Sequence, residues 1–339
     1  MNFRVTAILL SVILFGGCAQ LDQPSGQDSP IGFEAGQVLL RDDLTRADEP
    51  KEGTSFVSPD QISIYARRNN DSVNPIFNGQ LASFNGVSWN YSPIKNWNWS
   101  SVLDYYDFIA VYPSTASSSV RDVAGNLNVV VSYDVLDDEY DLLGCAQRRL
   151  GTQIDKMAPM PLNFKHLLSA VRVTFENVSQ SVDFTLDEYY FKYIVEAGDA
   201  SILIDGSGNE SKSWINVERT TSAICGAAPD SVIAPGSVNK YVGGFDLMIP
   251  QSLTEGWGPG ATYKPYLVVK YTPDGRAQKT EEIELGQVKQ ADETTPIPSW
   301  EMGKKYTYNI SLRLDGGVMI TLITTRWNTT EAETPGLLI

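Results

Sequence analysis

The residue with the widest chemical repertoire in this sequence is His166, the sole histidine of the 339-residue chain. Any Ser-His-Asp or Cys-His catalytic arrangement would have to use it, because such sites need an imidazole as the base. His166 lies at the entry to a predicted strand and not beside a nucleophile motif. This position favours a structural, hydrogen-bonded histidine, and one histidine without a CxxC pair excludes an ordinary zinc site.

A second candidate for chemistry is an acidic cluster whose carboxylates are of the type that ligates calcium: Asp134, Asp137, Asp138, Glu139 and Asp141. The cluster lacks the ligand spacing and the turn glycine of an EF-hand loop, so we interpret it as a solvated acidic loop. Paired carboxylates for glycoside hydrolysis are defined in space, which leaves a secreted hydrolase open as an alternative. We predict no catalytic residue, no metal ligand and no cofactor.

Cys18 carries the most specific chemical prediction. The leader before it contains an apolar run, Val5 to Phe15, that is too short to span a bilayer as an anchored helix. Gly16-Gly17-Cys18 resembles the lipobox of bacterial lipoproteins, in which the cysteine sulfur receives a diacylglyceryl group and the leader is cut away. We predict a signal peptide at residues 1–17 and a membrane anchor on Cys18, with a plain secretory signal as the alternative.

The net charge and the remaining cysteines limit which partners and which disulfides we expect. The formal net charge of −15 argues against nucleic acid or an anionic membrane surface as a partner. After Cys18 only Cys145 and Cys225 remain, in a compartment that permits a disulfide. Two buried free thiols are the favoured interpretation, and a bridge between them stays open.

Three tryptophans lie close together in the sequence: Trp89, Trp97 and Trp99. On an exposed face their indoles would make a sugar-stacking platform, which would indicate a surface glycan-binding lipoprotein. In a β-domain such residues more often pack in the core or at a strand edge. Both interpretations stay open at this point, and the exposure of the indoles separates them.

The period of the hydrophobic pattern is two along the chain after Gln61. The clearest run in the N-terminal half places Leu127, Val129, Val131, Tyr133 and Val135 at every second position. Runs of this kind, bounded by turn residues such as Asn85-Gly86, predict strands. No ten-residue window has a helical stripe, so the sequence indicates an all-β protein.

The order of segments predicts two domains after a tether. Residues 18–30 are polar and contain Pro, Gly and Ser, as flexible tethers do. The proline-bearing stretch up to Pro161 separates two strand-rich halves, which predicts an N-terminal β-sandwich at residues 31–158 and a C-terminal β-sandwich at residues 159–339.

The first predicted strand lies between the tether and a highly charged loop. It runs from Ile31 to Val38 and places Ile31 and Phe33 on one face. The loop that follows, Arg41 to Gly53, should be exposed. Removing such a strand would uncover an apolar groove and unpaired backbone edges, which a strand from another chain could fill.

Several ordered motifs together resemble the fimbrillin family, the lipoprotein-derived subunits of type V pili in anaerobic Gram-negative bacteria. The motifs, in chain order, are Gly16-Gly17-Cys18, Ile31-Gly32-Phe33, Thr45-Arg46-Ala47, Trp97, Asp107-Phe108-Ile109-Ala110-Val111-Tyr112-Pro113, Asp141-Leu142-Leu143, Leu162-Asn163-Phe164-Lys165-His166-Leu167-Leu168-Ser169, Trp300-Glu301-Met302-Gly303-Lys304-Lys305-Tyr306-Thr307-Tyr308 and Trp327. No single motif is specific, but their order is, and the resemblance covers essentially the whole mature chain.

The resemblance implies two tandem transthyretin-like antiparallel β-sandwich domains and a non-enzymatic role. It implies export as a lipoprotein to the outer membrane and the fimbrium. It also implies cleavage by an arginine-specific protease after Arg46, with Arg41 as a second candidate. The strand carrying Ile31 and Phe33 would then leave, and a strand from another fimbrial subunit would replace it.

The position of the donor strand is left open by the sequence. Val318 to Trp327 is one candidate, and the segment after Trp327 with Leu337, Leu338 and Ile339 is another. If neither can swing out, the resemblance implies a tip or anchor component in place of a polymerising subunit.

Overall fold

The alternating runs of the sequence form β-strands throughout the part of the chain that the structure describes. This computed structural model describes residues 29–35, 56–121, 125–138, 140–224, 226, 231–237, 240–241, 244–290, 296–314 and 317–326. Within these residues only two short 3-10 turns, Pro259–Ala261 and Leu285–Gln287, have helical character. The all-β prediction is confirmed.

The strands in the first half are β1 (Phe33–Ala35), β2 (Gln61–Arg68), β3 (Phe77–Phe84), β4 (Ser88–Tyr91), β5 (Tyr105–Tyr112), β6 (Ser118–Val120), β7 (Leu127–Asp134), β8 (Leu143–Leu150), β9 (Met160–Leu162) and β10 (Lys165–His166). The strands in the second half are β11 (Ser169–Asn177), β12 (Phe184–Lys192), β13 (Val195–Ile204), β14 (Glu210–Arg219), β15 (Ala223–Ile224), β16 (Ser231–Ile233), β17 (Lys240–Tyr241), β18 (Asp246–Met248), β19 (Gln251–Ser252), β20 (Tyr266–Pro273), β21 (Lys279–Glu284), β22 (Ser299–Trp300), β23 (Lys304–Leu312) and β24 (Val318–Arg326).

The first sheet is strongly curled. Its eight strands follow the order β10-β8-β5-β2-β3-β4-β1-β9, so β1 and β5 lie four strand spacings apart. A flat sheet would separate them by about 19 Å. The ring centroids of Phe33 on β1 and Phe108 on β5 are only 5.7 Å apart. The sheet therefore folds over an interior of its own.

A four-stranded sheet covers the outer face of the curled sheet. Its order is β14-β13-β7-β6, which combines strands from both halves of the sequence. Tyr65, Ile109 and Val111 face this second layer and belong to its core. The central strands β2 and β5 are consequently buried on both faces. The apolar-in, polar-out alternation that the sequence predicts for β2 does not hold, because each side of this strand meets a core.

Strand pairing crosses the predicted domain boundary in several places. β9 and β10 follow residue 158 yet join the curled sheet, and β7 pairs with β13 along Leu127–Asp134. The division at residue 158 remains a prediction. The pairing shows that the N-terminal half does not complete its second layer without strands that follow residue 194.

The second half also forms a sandwich. One five-stranded sheet has the order β17-β11-β23-β24 with β18 beside β11, and the other has the order β15-β12-β20-β21 with β16 beside β12. Tyr306, Tyr308, Ile310 and Leu312 of β23 are buried in its core. The pairing of β11 with β23 is parallel from Ala170 to Asn177, so this sheet is mixed.

Two of the buried tyrosines of this sandwich, Tyr308 and Tyr271, allow a matched test of its core. Trp300 donates from Nε1 to Tyr308 Oη at 2.9 Å, whereas the hydroxyl of Tyr271 has no hydrogen-bond partner among the described residues. We predict that Tyr308→Phe lowers the free energy of unfolding by about 1–3 kcal/mol, because it leaves the buried N–H of Trp300 without a hydrogen-bond acceptor. Tyr271→Phe should be neutral or stabilising. Urea denaturation measures both, and equal losses in the two variants would contradict the prediction.

Candidate strand-replacement groove

β1 is a three-residue strand that is hydrogen-bonded on both sides. It pairs antiparallel with β4, where Phe33 lies opposite Trp89, and parallel with β9, where Phe33 lies opposite Met160. Three residues are too few to form a stable strand alone. The neighbouring strands therefore hold this segment in place.

The residues just before β1 extend the same attachment. Gly32 lies against Pro159, since an added Cβ would be in ordinary van der Waals contact with the proline ring at 3.4 Å. The backbone hydrogen bonds of this stretch are Ile31 N to Lys95 O at 2.8 Å, Trp97 N to Ser29 O at 3.0 Å and Met160 N to Gly32 O at 2.7 Å. Residues 29–35 thus form one continuous strand-like insert, which we call the resident segment.

The side chains of the resident segment fill the interior of the curled sheet. Ile31 is 1% exposed and Phe33 is 2% exposed. The Phe33 ring contacts three aromatic rings edge-on, with centroid distances of 5.8 Å to Phe77, 5.7 Å to Tyr91 and 5.7 Å to Phe108. Burying such side chains contributes roughly 1.5–3 kcal/mol each. The structure places both predicted groove residues inside the core.

Tyr91 is a residue of this site that the sequence analysis missed. Its hydroxyl donates a hydrogen bond to the backbone carbonyl of Ile31 at 2.7 Å. Burial raises the pKa of Tyr91 above its usual value, which keeps the hydroxyl protonated as a donor. The alternation of Trp89 and Tyr91 in Ser88–Tyr91 predicts an inward face, but only the fold shows that Tyr91 reaches the resident segment.

The three tryptophans that were considered for sugar stacking are buried. Trp89 lies opposite Phe33 in the sheet, and Trp97 and Trp99 stack on each other with centroids 5.5 Å apart. All three belong to the core cluster inside the curled sheet. They form no exposed platform, so a glycan-binding role for these indoles is wrong. All three can pack in one core because the sheet curls around them.

His166 has the structural role that the sequence analysis favours. Its Nδ1 lies 2.6 Å from Asp141 Oδ2, and both side chains are buried where β8 meets β10. Asp141 therefore does not belong to a solvated acidic loop, contrary to expectation, because it pairs with the histidine. Among the described residues, no group of three or more His, Cys, Asp or Glu side chains is placed to hold a metal ion.

Several sequence predictions fall outside the described residues. They are lipidation at Cys18, cleavage at Arg46 or Arg41, the exposed loop Arg41–Gly53, the state of Cys225 and the strand end at Trp327. Cys145 is a buried free thiol, and burial raises its pKa to about 12. In the described part of the chain, no helix has the length and apolarity needed to cross a membrane.

Adjacent residues of β1 provide a direct test of this packing. We predict that Phe33→Ala lowers the free energy of unfolding by about 3–5 kcal/mol, because it leaves a cavity among three aromatic rings. Glu34→Ala, at the exposed neighbouring position, should change it by less than about 0.5 kcal/mol. Urea denaturation followed by tryptophan fluorescence measures both. A Phe33→Ala variant as stable as Glu34→Ala would show that the resident segment does not support the core.

The chain matches a known protein family, and its fold resembles those of solved structures. A family model described as fimbrillin-like matches residues 45–327. A fimbrial protein from Bacteroides vulgatus has a similar solved structure, with a TM-score of 0.52 and 11% identity over 88% of this chain and 100% of that one.

A candidate cell adhesion protein from Bacteroides uniformis has a TM-score of 0.51 and 15% identity over 88% of this chain and 100% of that one. At these identities the two structures show a shared fold alone. No curated protein sequence matches the chain. The family match spans well over half of the sequence, and the chain therefore belongs to the fimbrillin-like family, whose members are structural fimbrial proteins and not enzymes.

Proposed function

We propose that this fimbrial subunit is a lipid-anchored precursor that assembles by exchanging its resident segment for a strand of another subunit. The observation that carries the proposal is the position of Ile31 and Phe33. Two side chains of a three-residue strand and its lead-in fill the interior of a sheet that is otherwise built from distant parts of the chain. Such a segment could be cut from the rest of the chain, although its side chains are part of the core.

Departure of the resident segment would leave a groove with exposed apolar side chains and unpaired strand edges. The facing backbone edges of β4 and β9 would lose their partners, and the rings of Phe77, Tyr91 and Phe108 would lose their contact with Phe33. Exposed apolar surface is unfavourable in water, and an unpaired strand edge readily pairs with another strand. A strand with apolar residues two positions apart would restore the pairing and the burial.

The direction of the groove sets the direction of the incoming strand. β1 runs parallel to β9, so its chain enters beside residue 96, where Pro30 bridges Asn96, and ends beside Leu162. A replacement strand in the same register would enter with its N-terminal end at the same place. A segment that follows the body of a donor subunit in sequence fits this direction.

β24 has the features of a donor strand. It pairs antiparallel with the preceding strand, β23, and is the last strand in the order of its sheet. Residues 318–325 carry no charge, and Met319 and Ile323 are exposed, whereas natural edge strands are usually protected by charges or prolines. The segment after Trp327, with Leu337, Leu338 and Ile339, stays an equal candidate.

Export and activation complete the proposal. Cys18 would carry the lipid that holds the precursor at the outer membrane, and an arginine-specific protease would cut after Arg46 or Arg41 to release the resident segment. Surface protein that retains residues 18–46 would be an anchor, while loss of that stretch would mark a polymerising subunit. The support for these steps is the lipobox and the arginines of the sequence.

A reversible crosslink tests the exchange. Glu34 and Ser88 are register partners on β1 and β4, so Glu34→Cys combined with Ser88→Cys should tie the resident segment into its sheet. We predict that lipid-free protein with this pair forms no oligomer ladder after arginine-specific cleavage under oxidising conditions. Adding a reductant should restore the ladder, since it frees the segment. Gel electrophoresis with and without reductant gives the readout.

The single variants Glu34→Cys and Ser88→Cys serve as controls and should polymerise like the parent protein. Equal ladders from the oxidised double variant and the controls would contradict strand exchange at this groove.

A further inference from the structure

One end of the curled sheet is built from loops that lie side by side. These are the loops at residues 69–76, 92–104 and 151–159, which adjoin the end of β2, the start of β5 and the end of β8. We call this surface the distal end, because the opposite end of β8 pairs with β10 and leads into the second sandwich. The start of the resident segment lies here too, where Pro30 bridges Asn96.

The distal end displays large apolar side chains to solvent. The exposed fractions are 84% for Val73, 61% for Ile94, 62% for Val102, 83% for Leu103, 43% for Leu150 and 99% for Ile154. Scattered exposed apolar residues are ordinary on any protein. A concentration of them on adjoining loops marks an interaction surface.

A buried carboxylate fixes the loops that carry these side chains. Asp104 accepts hydrogen bonds from Arg68 Nη2 at 2.8 Å, Asn69 Nδ2 at 2.9 Å and the amides of Ser100 and Ser101 at 2.7 and 3.0 Å. The amide of Gly151 donates to the Asp104 carbonyl at 2.7 Å, which joins the third loop.

Burial works to raise the pKa of Asp104, but these hydrogen bonds outweigh it and hold the pKa well below its usual range. The carboxylate therefore stays ionised and keeps the loops in place at neutral pH. Loops that are ordered before binding lose little entropy when a partner docks.

We propose that the distal end is the docking surface for the body of a second copy of this chain, the copy that supplies the replacement strand. The inference rests on the proposed strand exchange. A strand entering the groove must cross this end, and each connecting residue spans at most about 3.6 Å. The donor's body is thereby held against the exposed apolar loops, in continuity with the groove.

One observation favours a second copy as the occupant, and another favours a protein interface at this surface. The chain itself carries both the groove and an uncharged edge strand, β24, so it has both halves of the joint. Beside the apolar loops lies a depression of about 580 Å³ whose polar lining includes Arg68, Asn69, Asn74, Lys95, Asn96 and Asn98. An apolar centre with hydrogen-bonding groups at its edge is the usual anatomy of a protein interface.

Two assays distinguish docking from strand insertion: a peptide tests insertion alone, and the whole chain tests insertion together with docking. The test variant is Val102→Ser, Leu103→Ser and Ile154→Ser combined. The control variant is Val57→Ser, Val87→Ser and Val232→Ser combined, since these exposed apolar residues lie elsewhere. After arginine-specific cleavage, one assay follows binding of a labelled peptide of residues 318–339 by fluorescence anisotropy. The other follows the rate of oligomer formation by the whole chain.

We expect the test variant to bind the peptide within about twofold of the parent protein but to form oligomers at least about tenfold more slowly. The control variant should match the parent in both assays. Oligomer formation by the test variant at the parental rate would overturn the docking surface. Peptide binding without any oligomers of the parent chain would overturn a second copy as the occupant. Absence of both peptide binding and oligomers would overturn the strand exchange itself and the docking surface with it.

Discussion

The structure depends on the packing of Phe33 against rings that belong to three other strands. Phe77, Tyr91 and Phe108 lie on β3, β4 and β5, and their edge-on contacts with Phe33 close the interior of the curled sheet. The segment that supplies this ring is short and is held by its neighbours. It pairs with strands on both sides, and the Tyr91 hydroxyl donates a hydrogen bond to the Ile31 carbonyl. A core that relies on so short a segment can exchange that segment without being rebuilt.

The rest of the N-terminal half is braced independently of the resident segment. The four-stranded sheet covers the outer face of β2 and β5 and brings in β13 and β14 from beyond residue 194. Arg148 on β8 binds Asp107 on β5 at 2.6 Å and the carbonyl of Asp205 at 2.9 Å, which links the two layers. Such charge-assisted bonds are among the stronger hydrogen bonds in proteins. The groove would therefore keep its shape while it changes its occupant.

Local patterns in the sequence predict the strands and the inward face of the resident segment, because alternation is a property of neighbouring residues. They do not predict Tyr91 as a partner of Ile31, the parallel pairing of β11 with β23 or the contribution of β13 to the first half, because those contacts join distant residues. The tryptophans show the same limit. For Trp97 and Trp99 the sequence leaves both an exposed platform and core packing open, and only the fold shows that they are buried. Asp141 lies next to acidic residues in sequence, but its partner is 25 positions away.

The most direct test of strand exchange is a cryo-electron microscopy structure of filaments formed from the cleaved, lipid-free protein. We expect the space between β4 and β9 to hold a strand whose density continues into the body of a neighbouring subunit, with apolar side chains at the positions of Ile31 and Phe33. Filaments in which each subunit keeps its own residues 29–35 between β4 and β9 would contradict strand exchange as the basis of assembly.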